Sequence, residues 1–292
     1  MSKSNNYGYI ITIVTCMLLL SSCKKNKWET SPTYYKSKYP EKAEKQKIER
    51  PSVMNRSPQN LTFDELQVAK NYAQLNGNKR QVIIYLENMV KQCTDPNLLK
   101  DINLELADLY FELGNMEQAA KLYSAYINLF PGSPQRAYVH YQAILCKFYS
   151  TFSIDRDQTT TEETFKLTQL YLDVVSKDDQ LYKEYADEVA SIQKQCCKKL
   201  YDHDMDIFNF YFKKGNYKAA QVHLDEMKKT FISLMKSDVE PELIALECSL
   251  ATKQGNNQLF ELKQQELITK YPQRATITLA ANIAKADHVA RF

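Results

Sequence analysis

Glycine is scarce in this chain of 292 residues, and the positions of its six glycines constrain the fold more than any other feature. Four of them separate pairs of amphipathic stretches: Gly77, Gly114, Gly215 and Gly255. A proline follows the second stretch of each pair, at Pro96, Pro131, Pro241 and Pro272. Glycine provides the tight turn that ends one helix, and proline cannot continue the next. The pattern predicts repeated helix hairpins and is unlike the closely spaced turns of strand proteins or a glycine-rich phosphate loop.

The clearest hairpin covers residues 100–131 and reads KDINLELADLYFELGNMEQAAKLYSAYINLFP. Its apolar residues recur at helical spacing on both sides of the glycine. Six residues match the register of the tetratricopeptide repeat: Ala107, Tyr110, Gly114, Ala119, Tyr123 and Pro131. The copy around Gly215 keeps this register with a longer second helix, and two other copies are weaker. We therefore expect an all-α fold, a superhelical solenoid of about five tetratricopeptide-like helix hairpins over residues 62–292.

The N-terminus has the features of an export signal. Lys3 is followed by the apolar run IITIVTCMLLL and then by Leu-Ser-Ser-Cys, ending at Cys23. That ending resembles the lipobox of bacterial lipoproteins, which implies a signal peptide over residues 1–22, cleavage before Cys23 and a lipid on its thiol. Lys24, at the second mature position, favours the outer membrane. The alternative is an ordinary signal peptide or an uncleaved anchor with an incidental cysteine.

Residues 23–61 differ in composition from the rest of the chain. They contain four of the nine prolines, many lysines and serines, and no apolar periodicity. Such a composition predicts a flexible tether between the lipidated Cys23 and the helical domain.

Cysteine spacing gives no metal or redox motif. Cys93, Cys146 and Cys248 stand alone, and the adjacent Cys196 and Cys197 lack a C-x-x-C partner. The pair could be drawn with His203 as half of a metal site, but cysteines in helices more often pack as small apolar residues. We therefore expect neither a metal nor a cofactor.

A polar run, DRDQTTTEE, lies between two helical segments at residues 136–149 and 162–175. Its carboxylates raise the possibility of acid/base catalysis by Asp155 or Asp157. No histidine or glycine-rich turn accompanies them, so we favour the connection of a third hairpin. Thr159 and Thr160 each precede a glutamate by three residues, which predicts that a threonine caps the following helix.

Three stretches carry a more specific resemblance: ELGNMEQAAKLYSAYINLFPGSP, IDRDQTTTEETF and KKLYDHDMDIFNFYFKKGNYKAA. Together with the lipobox and the tether, they resemble the BamD-like lipoproteins of the outer-membrane β-barrel assembly machinery. The resemblance implies a non-enzymatic scaffold, anchored by lipid to the periplasmic face of the outer membrane. Its implied partners are the periplasmic repeat domain of the central barrel subunit, accessory assembly lipoproteins and unfolded barrel precursors.

The resemblance also suggests two binding surfaces. A basic-Leu-x-x-His-acidic stretch of the family, implied to bind the central barrel subunit, matches Lys199, Leu200, His203 and Asp204. Lysine replaces the usual arginine at residue 199, which keeps the charge and loses the bidentate fork. Aromatic residues of the first helices are candidates for a groove that takes extended precursor peptides: Tyr110, Phe111, Tyr138, Tyr141, Tyr149 and Phe152.

Two other function classes remain open. The chain could be another tetratricopeptide lipoprotein, such as a scaffold in cell-wall or secretion machinery, or it could be an enzyme. Nucleic-acid binding is disfavoured, because the formal charge of +3 is spread along the chain without a basic stripe.

Overall fold

The computed structural model describes residues 50–151, 153–177, 179–235 and 238–274, and within these ranges the chain is helical without any strand. The described residues from 55 onward belong to one compact unit. The described α-helices are α1 (Phe63–Leu75), α2 (Lys79–Gln92), α3 (Pro96–Glu112), α4 (Met116–Leu129), α5 (Arg136–Tyr149), α6 (Thr159–Ser176), α7 (Gln180–Lys183), α8 (Ala186–Lys213), α9 (Tyr217–Met235), α10 (Glu240–Lys253) and α11 (Asn257–Lys270).

These helices pair into five hairpins: α1 with α2, α3 with α4, α5 with α6, α8 with α9, and α10 with α11. The second helix of each hairpin packs on the first helix of the next, and the one-turn helix α7 fills the connection between the third and fourth hairpins. Packing between successive hairpins defines a helical-repeat solenoid. The expected all-α fold and hairpin arrangement are confirmed.

The glycine turns follow from the backbone conformation at one residue. Gly114 has a φ of 78°, in the left-handed region that side chains with a Cβ avoid. Its amide donates to the Phe111 carbonyl at 3.0 Å, which closes the end of α3. The next residue, Asn115, caps α4 by accepting a hydrogen bond from the Gln118 amide. A Gly-Asn pair thus ends one helix and begins the next, and it recurs at residues 77, 215 and 255.

The prolines have more than one role. Pro131 and Pro272 follow the second helices of their hairpins, as expected. Pro96 and Pro241 instead lie in the first turns of α3 and α10. A proline there loses no helical hydrogen bond, because the first amides of a helix have no partner within it. These two residues therefore begin the following hairpin as well as ending the preceding segment.

A buried carboxylate joins the second and third hairpins. Asp108 of α3 is 5% exposed, and its Oδ1 accepts hydrogen bonds from the hydroxyls of Tyr123 at 2.7 Å and Tyr138 at 2.9 Å. Tyr123 of α4 is fully buried and Tyr138 belongs to α5. The Asp108 carboxylate therefore links α3, α4 and α5 through two hydrogen bonds. A buried acceptor needs such partners.

The compact unit begins before the predicted end of the tether. Leu61 is 3% exposed, and its carbonyl accepts a hydrogen bond from the Gln92 side chain at 3.0 Å. Thr62 then caps α1 in a capping box with Glu65. The predicted signal peptide, Cys23 and tether residues up to 49 lie outside the described residues, as does Phe152. Among the helices described, none has the length and apolar character to cross a bilayer.

Candidate functional site

Two of the stretches that resemble the lipoprotein family meet in space. Residues 150–158 connect α5 to α6, and Thr151 and Ile154 of this connection contact the face of α8 that carries Lys199 and His203. The Lys199 ammonium donates to the Thr151 hydroxyl at 2.8 Å. His203 donates from Nδ1 to the Ile154 carbonyl at 2.5 Å. Because residues 199 and 203 are one turn apart, one helix face attaches both parts of the connection.

The connection is closed by a buried glutamine. Gln158 is 5% exposed, and its Nε2 donates to the carbonyls of Ser153 at 2.8 Å and Arg156 at 2.9 Å. Its Oε1 accepts from the hydroxyl of Thr161, which is fully buried in α6. The side chain thus adds a donor to two carbonyls of the connection, and it gives the connection a defined shape.

We expect the substitution Gln158→Ala to destabilise the protein. Three hydrogen bonds of a buried side chain are lost and two carbonyls lose a donor, so the free energy of unfolding should fall by about 2–3 kcal/mol. For a unit of this size the melting temperature should fall by roughly 5–10 °C, measured by circular dichroism. Gln169→Ala, at an exposed position of α6, is the matched control and should change little. Equal melting temperatures for the two variants would contradict the role given to Gln158.

The threonine caps predicted for α6 are wrong. The helix begins at Thr159, three residues earlier than expected, and its N-cap residue Gln158 makes no capping hydrogen bond. Asp157 instead accepts from the Thr159 amide at 3.2 Å and from the Thr159 hydroxyl at 2.8 Å. A carboxylate competes better than a hydroxyl for the positive end of a helix, which explains the earlier start.

The two aspartates of the connection are exposed and ionised. The Ser153 hydroxyl, which donates to Asp155, lowers the pKa of that carboxyl, and the Thr159 hydroxyl lowers the pKa of Asp157. A general acid or base at neutral pH needs a carboxyl whose pKa is shifted upward instead. The geometry therefore fits a structural role for both groups.

The double variant Asp155→Asn, Asp157→Asn tests this role through its pH dependence. Because both pKa values are lowered on folding, the ionised carboxylates stabilise the folded state above the unfolded-state pKa of 3.8. This contribution is lost as the pH falls through the folded-state values. We expect the variant to melt below the wild type at pH 7 and the difference to shrink toward pH 3. A difference that does not change with pH would rule out the charge as its cause.

The four predicted partner-binding residues do not share one surface. Lys199 and His203 face the connection, whereas Leu200 packs partly against the core formed by α8, α9 and α10. The backbone carbonyl of Asp204 accepts from Nε2 of His223 in α9 at 3.0 Å. Burial raises the pKa of the Asp204 carboxyl, against the opposing effect of both histidines. Lys199 and His203 are therefore positioned to form a surface with the connection, whereas Leu200 and Asp204 hold α8 against α9.

An open cleft of about 570 Å³ lies beside this contact. Phe148 and Ile154 supply its apolar part, and three lysines of α8 supply its positive charge. One of them, Lys198, pairs with Asp202 and lies 5.8 Å from the Tyr201 ring centroid. The cleft is lined by Phe148, Thr151, Ile154, Ser191, Lys194, Gln195, Cys196, Lys198, Lys199 and Asp202.

Sequence reasoning missed most of these lining residues. The signal was available, because residues 191, 194, 195, 198, 199 and 202 recur at helical spacing. All six lie on α8, which begins at Ala186 and extends to Lys213, so the first helix of the fourth hairpin starts well before the repeat copy around Gly215.

The predicted groove residues have unequal exposure. Tyr138 is 8% exposed and Tyr141 is 6% exposed, and the Tyr141 ring stacks on that of Tyr185 with centroids 4.7 Å apart. Both rings are committed to the core, which leaves little of them for a ligand. Tyr149 is 41% exposed and lies 6.2 Å from the partly buried Phe111 ring. Tyr110 is also partly buried, and its hydroxyl donates to the Glu87 carboxylate.

The adjacent cysteines lie in two different clusters. Cys196 packs in the core around the third hairpin and Cys197 packs in the core of the fourth. Burial raises the pKa of Cys196 to about 11, so its thiolate is scarce at neutral pH. Within the described ranges, no group of three His, Cys, Asp or Glu side chains could hold a metal ion.

The chain is similar to a known protein family. A protein-family model described as YfiO, outer membrane lipoprotein, matches residues 68–266. This range is more than half of the chain and contains the connection, α8 and the cleft. No curated protein matches the chain in the same comparison.

Proposed function

Because the chain belongs to the YfiO family of outer membrane lipoproteins, we propose that it is the BamD-like subunit of a machinery that assembles β-barrel proteins in that membrane. The observation that carries the proposal is the joined site. The stretches IDRDQT and KKLYDHD, which the resemblance singles out separately, meet where His203 donates to the Ile154 carbonyl, and Lys199 binds Thr151 just before the first of them. The two segments are distant in the sequence, resemble the same family and also contact each other. Together they support the proposal better than either motif alone.

The proposed role is that of a non-enzymatic scaffold on the periplasmic face. Stacked helix hairpins offer long surfaces to other proteins without a reaction chamber. The cleft with its apolar residues and lysines would receive the periplasmic repeat domain of the central barrel subunit. Accessory assembly lipoproteins would bind elsewhere on the solenoid.

Unfolded barrel precursors would bind the N-terminal hairpins. Tyr149, Phe111 and Tyr110 retain exposed ring surface at the ends of α5 and α3, where an extended peptide could pack against them. Tyr138 and Tyr141 would act indirectly, by holding α5 in place from the core.

Purification through a C-terminal tag after detergent solubilisation tests the proposal. We expect an outer-membrane barrel protein with periplasmic repeat domains to co-purify, and depletion of this chain to lower barrel proteins generally. Co-purification with cell-wall or secretion components, without an effect on barrel proteins, would support the other kind of tetratricopeptide scaffold. The lipid anchor and the position in the outer membrane would be common to both outcomes.

A further inference from the structure

The turn between α8 and α9 combines aromatic rings with unpaired positive charge. Residues 207–222 read IFNFYFKKGNYKAAQV and include no acidic residue. Lys213, Lys214 and Lys218 are exposed around the turn at Gly215. In the described part of the chain no ion pair joins any of the three to a carboxylate. Their charge is therefore available to a partner outside the solenoid.

Exposed apolar groups lie beside these lysines. The Phe210 side chain is 56% exposed, and the Lys214 ammonium lies 5.9 Å from its ring centroid. The Tyr211 ring lies 5.5 Å from the Phe210 ring in an edge-to-face arrangement. Val222 of α9 is 60% exposed. The Phe210 ring does not fill space in the core. Its exposed face leaves apolar surface in water beside flexible lysines.

The turns at Gly114 and Gly255 lack this combination. Around Gly114 the nearby charges are acidic, and they are neutralised by Lys79 on Glu112 and by Lys121 on Glu117. Near Gly255 only Lys253 carries charge, and no aromatic residue stands within four positions of the glycine on either side. The composition at Gly215 is therefore not a requirement of the hairpin turn.

We propose that the turn at Gly215 binds the surface of a membrane that contains anionic phospholipid. Aromatic residues settle at the level of the lipid headgroups, and lysines extend their stems over apolar surface while the ammonium reaches phosphate. Each lysine near an anionic surface strengthens binding about fivefold. Membership of an outer membrane lipoprotein family brings the chain to such a surface. The inference rests on that membership and is independent of the role in barrel assembly.

Vesicle sedimentation with residues 55–292 tests the turn directly. This compact unit contains every described core residue and lacks the three lysines just after Cys23. We expect it to sediment with vesicles of phosphatidylcholine containing about a third phosphatidylglycerol, and to remain soluble with phosphatidylcholine alone. The triple variant Lys213→Gln, Lys214→Gln, Lys218→Gln should bind about a hundredfold more weakly. Phe210→Ser should also weaken binding, and this loss should persist at high salt.

The matched control removes equal charge elsewhere, through Lys91→Gln, Lys166→Gln and Lys229→Gln at exposed positions. It should sediment almost like the wild type, with thermal melts showing that all variants are folded. Equal losses for the two triple variants would overturn the assignment to this turn, as would absence of wild-type binding. A turn variant that binds vesicles normally but no longer captures the barrel subunit would show that a protein covers this surface instead.

Discussion

Replacing Cys23 with alanine is expected to move the protein from the membrane fraction to the soluble periplasmic fraction. The lipobox-like Leu-Ser-Ser-Cys implies that the Cys23 thiol carries the lipid, so alanine removes the attachment atom. The effect should be nearly complete. A single fourteen-carbon chain gives a membrane partition constant of only about 10⁴ M⁻¹, and stable anchoring takes two such signals. A variant without any lipid should therefore not stay anchored.

The experiment needs a defined N-terminus, because an uncleaved signal peptide would itself hold the variant in the membrane. The alanine variant is therefore exported behind a signal peptide whose cleavage does not depend on cysteine. Cys93→Ala, behind the natural N-terminus, is the control and should stay with the outer membrane after density separation. An alanine variant that remains in the membrane fraction after carbonate washing, with its signal removed, would count against lipid anchoring. Residual binding that salt removes would instead point to the lysine-rich turn at Gly215.

The hairpin architecture could be predicted from the sequence because its signals are local. Gly114 needs a left-handed backbone, and Tyr123 and Ala119 lie at helical spacing on a buried face, so neither prediction requires knowledge of distant residues. The same applies to the longer second helix of the fourth hairpin, α9, which ends at Met235. Local rules succeed where each residue's conformation is decided within one or two turns.

The site could be predicted only in part, since its geometry depends on long-range contacts. Lys199 and His203 were identified through the resemblance, yet nothing in their local sequence indicated that they bind Thr151 and Ile154, almost fifty residues earlier. The cap of α6 was misassigned for a related reason. Threonine and aspartate both suit a helix start, and the Asp157 carboxylate binds the first amide of α6 while Gln158 holds the connection from inside.

The tyrosines show the same limit for surface residues. Tyr138 and Tyr149 lie on one helix, α5, and their types gave no reason to separate them. The first is buried because Asp108 and Tyr185 lie opposite it, and the second is exposed near the end of the helix. An aromatic residue on a repeat helix therefore becomes a groove candidate only when the neighbouring hairpin leaves it uncovered.

Replacing Lys199 with glutamate is expected to abolish most capture of the barrel subunit. The change removes the donor to Thr151 and places a negative charge in a cleft whose other charges include Lys194 and Lys198. An acidic surface of the partner, which suits a positive cleft, would then meet a negative charge. Affinity should fall by at least about thirtyfold, which corresponds to about 2 kcal/mol, while the melting temperature should change by only a few degrees. Pull-down against the purified subunit and a thermal melt give both quantities.

Three further variants separate charge from the attachment of the connection. Lys199→Arg keeps the charge and restores a planar fork, so capture should equal or exceed that of the wild type. Lys229→Glu, at an exposed position of α9, carries the same charge change and should capture normally. Thr151→Val removes only the hydroxyl that Lys199 binds. If valine at 151 reduces capture as strongly as glutamate at 199, the shape of the connection matters more than the charge. Normal capture by Lys199→Glu would exclude residue 199 from the interface, and the cleft would then need another partner.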